Sequence, residues 1–160
     1  DSFVSRGLGD VYKRQLHWRH IVEGGDPFED EIARPLDYGH WSAHRLERLT
    51  DGDLKHGEAV AVGLGIDAAL AVQLGRATPE FQHRVLGVLH KLGFTLDHPQ
   101  LDDPAALFVG IEQFRAHLGG ALTLTLVEEP GVPFDIHEAD LDLISKAIER
   151  HRSMVRTLLV

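Results

Sequence analysis

The sequence contains no cysteine and a single methionine in 160 residues. Disulfides and thiolate zinc sites are thereby excluded, and any metal must be held by histidine, aspartate or glutamate. Basic residues are also scarce: Lys+Arg is 16 against Asp+Glu 25, a formal net charge of −9. A chain of that balance lacks the basic stripe with which nucleic-acid binders meet phosphate, so no nucleic-acid partner is expected. No apolar run reaches the roughly 18 residues that a membrane-spanning helix needs, and no charged-then-apolar signal segment opens the chain. The expectation is a cytoplasmic piece about one domain long, with no membrane partner. Its 43% hydrophobic content suits a packed core. Histidine is what the sequence has in excess: there are 11, with no terminal run that would mark a tag.

The first residues fit poorly with the rest. Residues 4–15, VSRGLGDVYKRQ, concentrate Arg6, Lys13 and Arg14 in an otherwise acidic chain and show no apolar period. The string resembles adapter-derived sequence. Residues 1–15 are therefore set aside as a non-native or disordered leader, and residues 16–160 are read as a helical domain whose protein begins further upstream.

Along that domain the punctuation is helical. Residues 16–23 end at Gly24-Gly25, and 26–35 form an acidic loop between prolines. Asp37 to Leu49 reads as a helix, and Thr50-Asp51-Gly52-Asp53 as a turn. Leu54 to Gly75 reads as a long helix in which only Asp67 is charged between Ala59 and Leu74, so it belongs at the centre of a bundle. Gly57, Gly63 and Gly65 each cost it roughly 1 kcal/mol against Ala, which makes sense where another element approaches the backbone. Thr78-Pro79 opens a helix that stops at Gly93, and Asp103-Pro104 opens one that stops at Gly119-Gly120. LTLTLV, residues 122–127, is the one strand signal. His137 to Arg152 reads as a last helix, with Ile136, Leu141, Ile144 and Ile148 on one side. The fold class is mostly α: a helical bundle with at most a short β-hairpin.

His40 and His44, four residues apart, share one helix face. His56 follows 16 residues after His40 and opens the next helix. A helix, a turn and an antiparallel helix can bring His40 and His56 together. Two neutral imidazoles with an acidic oxygen suit zinc, and Asp37 and Glu58 are nearby acids that could orient an imidazole. Spacing alone leaves two readings open, a metal site or a solvated histidine face.

The whole segment is more specific than the spacing. LDYGHWSAHRLE (Leu36 to Glu47) followed by LKHGEAVAVGLG (Leu54 to Gly65) resembles the 3-dehydroquinate synthase family, whose pattern runs LNxGHTxGHAxE and then LHGEAVAxGM with the same 16-residue step. The resemblance implies that His40 and His56 bind Zn2+ or another divalent metal, and that His44 is an active-site group beside it. It implies a third ligand, a Glu, upstream, and an NAD cofactor held mainly by an N-terminal domain that this sequence lacks. The implied activity is that of a sugar phosphate cyclase: NAD-assisted oxidation, phosphate elimination and aldol ring closure on a sugar phosphate substrate, in a homodimer when full length. Arg34 matches a substrate-binding Arg, with a loop salt bridge to Asp30 or Glu31 as its other reading. Asp37 stands where the motif has Asn, and either orients the site or caps a helix. His20 and His117 stand near positions where the family has lysines, or are solvated histidines. Trp41 replaces the motif Thr, and Ala43 the second Gly. These departures at positions that line the family's pocket point to a substrate other than the shikimate-pathway one, such as a heptulose phosphate. A metal-dependent polyol or alcohol dehydrogenase and a non-catalytic helical module are the competing readings. Without the upstream part, the piece alone is expected to be inactive.

Overall fold

The apolar segment after the turn dictates the architecture. A computed structural model describes residues 37–117 and 120–158 of the chain. In it, helix α1 (His40–Leu49) is followed by α2 (His56–Gln73), α3 (Pro79–Lys91), a 3-10 turn (Pro99–Asp102), α4 (Pro104–His117), the hairpin strands β1 (Leu124–Glu129) and β2 (Val132–Ile136), and α5 (Leu141–Leu158). Having almost no polar face, α2 has nowhere to go but inside. It packs against α1, α3, α5 and β1. Val62 and Ile66 are fully buried, and Val60 and Leu64 half-buried.

One core lies between α1, α2, α4, the hairpin and α5, built on Trp41, Leu46, Ile66, Leu70, Leu107 and Ile148. A smaller one lies under α3, where Ala61, Leu86, Leu89, Leu96 and Val155 meet. Burying one such Leu or Ile is worth about 1.5–3 kcal/mol, which outweighs the helix cost of a glycine that permits it. Gly63 is that case. A Cβ there would lie 2.0 Å from the carbonyl oxygen of Gly39, so only glycine lets the start of α1 rest on α2. Gly65 likewise accommodates His151 and Leu86, whereas Gly57 faces open space and has no packing reason.

The caps fall largely where the sequence places them. Thr78 Oγ1 accepts the Phe81 N–H at 3.2 Å, with Pro79 at the first helical position. Asp103 Oδ1 accepts the Ala106 N–H at 3.2 Å at the head of α4. Several boundaries differ: the long helix spans His56–Gln73 rather than Leu54 to Gly75, and two others shift further. Helix α1 begins at His40 rather than Asp37, because Gly39 adopts φ 80°, a left-handed conformation that cannot continue a helix. The last helix begins at Leu141 rather than His137 and runs on to Leu158. Residues 132–136 are used as the second strand, antiparallel to the first, with Leu124 opposite Ile136 and Leu126 opposite Phe134. The α5 start is then reset by Asp140, whose Oδ1 accepts the Leu143 N–H at 2.7 Å. In consequence Ile136 belongs to β2 and Leu141 is 41% exposed, while Ile144 and Ile148 are buried as expected. Among the described residues no helix is long and apolar enough to cross a membrane.

Candidate metal centre

The turn between α1 and α2 builds the site. Thr50 Oγ1 donates to the Leu46 carbonyl at 2.9 Å and accepts the Leu54 N–H at 3.3 Å. Asp51 and Gly52 take φ 51° and 79°, which reverses the chain. Glu58 fixes the start of α2 by accepting the Lys55 N–H at 2.8 Å. Glu58 is thus a helix cap and not the orienting acid of an imidazole, because its carboxylate is turned back along its own helix.

With that reversal, three imidazoles face one another. Ring centroids are 5.4 Å apart for His40 and His56, 5.7 Å for His40 and His44, and 5.8 Å for His44 and His56. His40 Nδ1 lies 3.1 Å from the Tyr38 carbonyl oxygen, which can only accept, so Nδ1 carries the proton. His56 Nδ1 lies 3.1 Å from Glu47 Oε2, and His44 Nδ1 lies 3.4 Å from the same oxygen. Among the described residues, His44, Glu47 and His56 offer ligand atoms that all lie within 4.8 Å of one another. The donor set, imidazole nitrogen and carboxylate oxygen, is that of zinc or a comparable divalent ion. The side chains of His44 and His56 are 55% and 54% exposed, so the cluster is open on one side.

A buried carboxylate braces this centre from behind. Asp67 on α2 accepts the Gly39 N–H and the Trp41 indole N–H, each at 2.7 Å. Gly39 and Trp41 flank His40, so Asp67 fixes where α1 begins. Burial pushes its carboxyl up to about 7, against the two donated hydrogen bonds that act to lower it. Tyr38, whose hydroxyl donates to the Leu64 carbonyl at 3.5 Å, is pushed above the usual phenol range, first by burial and then by Asp67.

The remaining candidates divide. Asp37 sits in the turn before α1, where its backbone carbonyl accepts the His40 N–H at 2.9 Å. Arg34 and His20 lie outside the described residues, as does the side chain of His117, which closes α4. Trp41 corrects an expectation. It is 2% exposed and its indole points to Asp67, so the bulk that replaces the motif Thr enters the core and not a substrate pocket. Ala43 is likewise fully buried. Two histidines outside the motif serve the fold: His98 Nδ1 accepts the Gln100 N–H at 3.2 Å, and buried His151 reaches the Leu96 carbonyl at 2.7 Å. Sequence reasoning gave Glu47 no role, although it stands three residues after His44 and closes the first motif. It also assigned nothing to Asp67, visible only as a lone charge in an apolar helix.

Comparison with known proteins places the chain in a family. Residues 11–110 match the family described as 3-dehydroquinate synthase C-terminal. The chain is 32% identical over 136 residues to a 2-epi-valiolone synthase from Actinosynnema mirum, covering 81% of this chain and 35% of that protein. It is 32% identical over 132 residues to a 3-dehydroquinate synthase from Latilactobacillus sakei, covering 82% of this chain and 34% of that one. It thus spans about a third of the length of these curated relatives. In fold it is similar to a 2-epi-5-epi-valiolone synthase from Streptomyces hygroscopicus subsp. jinggangensis, solved with NAD+ and Zn2+ bound. The TM-score is 0.77 at 22% identity, over 90% of this chain and 40% of that one. With a family model matched over residues 11–110 and relatives 32% identical over most of its length, the chain belongs to the 3-dehydroquinate synthase family, in the part described as C-terminal.

Proposed function

We propose that this chain is the metal-binding C-terminal part of a sugar phosphate cyclase of the 3-dehydroquinate synthase type, with His40 and His56 as metal ligands. The observation that carries this reading is the convergence of His40, His44 and His56 where α1 meets the start of α2. Both proposed ligands hold a partner at Nδ1, a backbone carbonyl for His40 and a carboxylate for His56. That is how metal-bound imidazoles are commonly anchored, and it leaves Nε2 as the ligating atom. The third ligand comes from the protein upstream of this chain, as does the domain that holds most of the NAD. A zinc ion held there supplies Lewis acidity toward the substrate hydroxyls, and NAD supplies transient oxidation of a ring hydroxyl. The chain's own part is to hold and orient. His44 stands beside the metal ligands, where it can take or give a proton, and Asp37, with Arg34 and His20 before it, serves the substrate.

The substrate is proposed to be a heptulose phosphate or a close relative. Support comes from Asp37 in place of the motif Asn, and from the match to 2-epi-valiolone synthases alongside 3-dehydroquinate synthases. The full-length protein, with its upstream segment, NAD and zinc, should release inorganic phosphate from a heptulose phosphate faster than from the acidic shikimate-pathway substrate. It is expected to be a homodimer in solution. Accumulation of NADH from a simple polyol without any phosphate release would replace this reading with that of a dehydrogenase.

A further inference from the structure

Three imidazoles crowd one end of this bundle, and each needs its neutral, correctly protonated form to bind a cation through a defined nitrogen. For His40 the backbone settles this through the Tyr38 carbonyl. For His56, the first residue of α2, no backbone carbonyl accepts from Nδ1; the partner is Glu47, nine residues earlier on α1. An ionised carboxylate can only accept, so the contact at 3.1 Å requires a proton on Nδ1 and leaves the Nε2 lone pair free. The same oxygen stands 3.4 Å from Nδ1 of His44. Glu47 therefore joins the two helices at the histidine cluster, with its side chain 29% exposed.

We infer that Glu47 is a positioning residue of this centre: its carboxylate sets the tautomer of His56 and draws the His44 ring into the same cluster. Its metal-affinity arm rests on the proposed function, whereas its tautomer arm does not. Neutral imidazoles in water favour the form protonated on Nε2, so a protein that needs Nε2 bare must supply an acceptor for Nδ1. Glu47 does so across the α1–α2 turn. Glu58, two residues after His56, is engaged at the start of its own helix, where it accepts the Lys55 N–H.

The test uses the metal-free 160-residue chain labelled with nitrogen-15, at a pH of about 8.5, where unpaired imidazoles are neutral. Long-range proton–nitrogen spectra read the tautomer of each ring. His56 should be protonated on Nδ1 in the wild type and in Glu47→Gln, whose amide oxygen still accepts. In Glu47→Ala it should revert to the Nε2-protonated form, while His40, anchored on Tyr38, stays unchanged. A wild-type His56 protonated on Nε2, or a tautomer indifferent to Glu47→Ala, overturns the inference. The wild-type spectrum decides the matter even if the alanine variant fails to fold. In a parallel zinc titration, Glu47→Ala should weaken binding about 10–100-fold, with Glu47→Gln closer to wild type. A loss in Glu47→Gln as complete as in His56→Ala makes Glu47 a direct ligand and overturns the positioning role. A wild-type chain that shows the tautomer dependence but binds no zinc upholds the inference and counts against the metal reading.

Discussion

Asp67 is where a single residue decides most. Asp67 is 1% exposed and burial raises its pKa to about 7, whereas in the unfolded chain it returns to the ordinary carboxylate range. A raised value means that the folded state prefers the protonated form. Its contribution to stability is complete below the unfolded value and is lost as pH rises through the folded one. Urea unfolding should therefore show wild-type stability falling, by an amount on the order of a few kcal/mol, between about pH 4 and pH 8. Asp67→Asn cannot ionise, and should flatten that slope. It should also lower stability at pH 5 by about 1–3 kcal/mol, because one of the two donated hydrogen bonds then meets an amide N–H. A slope that survives in the variant would place the titration elsewhere. The site was unevenly legible at this scale. His40, His44 and His56 could be read from the sequence, because helical spacing and a fixed step between motifs encode their meeting. The role of Asp67 could not, because its partners Gly39 and Trp41 are 28 and 26 residues away and only packing brings them close. The role of Glu47 was hidden because its contact with His56, nine residues on, depends on the chain reversal between the helices.

Among the elements, α1 and α2 carry the site, and the contact between them is set by glycine. Gly63→Ala places a Cβ 2.0 Å from the Gly39 oxygen, with backbone on both sides and little freedom to yield. It should cost at least the 1–3 kcal/mol typical of overpacking, lower the denaturant midpoint, and displace His40 from its partners. Gly87→Ala on α3 is the control, since nothing lies within 4 Å of the added carbon. There the ordinary helix preference for alanine should act alone and raise stability by about 0.5–1 kcal/mol. Equal effects at the two positions would contradict the packing described here. Element type was legible wherever caps and periodicity agreed, as for α3 with Thr78 and Pro79. It was less so at residues 132–136. Pro133 and the short alternating run VPFDI give strand pairing no strong signal, and β2 forms because β1 offers it a partner. That pairing also moved the start of α5 from His137 to Leu141.

For the molecule as a whole, the histidine cluster sits where the first two described helices meet, and its metal should act as a clasp between them. An ion that binds the folded chain and not the unfolded one stabilises it by mass action, about 2.7 kcal/mol at a hundredfold excess over Kd. For a chain of 160 residues, 1 kcal/mol corresponds to roughly 2–4 °C, so saturating zinc should raise Tm by about 5–10 °C. Chelation should reverse the rise. His56→Ala should abolish it while leaving the far-UV circular dichroism of the metal-free chain unchanged, because α2 is held by its buried apolar residues and His56 lies at its exposed first position. His40→Ala should behave in the same way, and His98→Ala, whose imidazole caps the 3-10 turn, should keep the zinc response intact. The pattern separates a site from general histidine affinity. A Tm rise that persists in both His40→Ala and His56→Ala would trace to other histidines among the 11, and the assignment of the two ligands would fall.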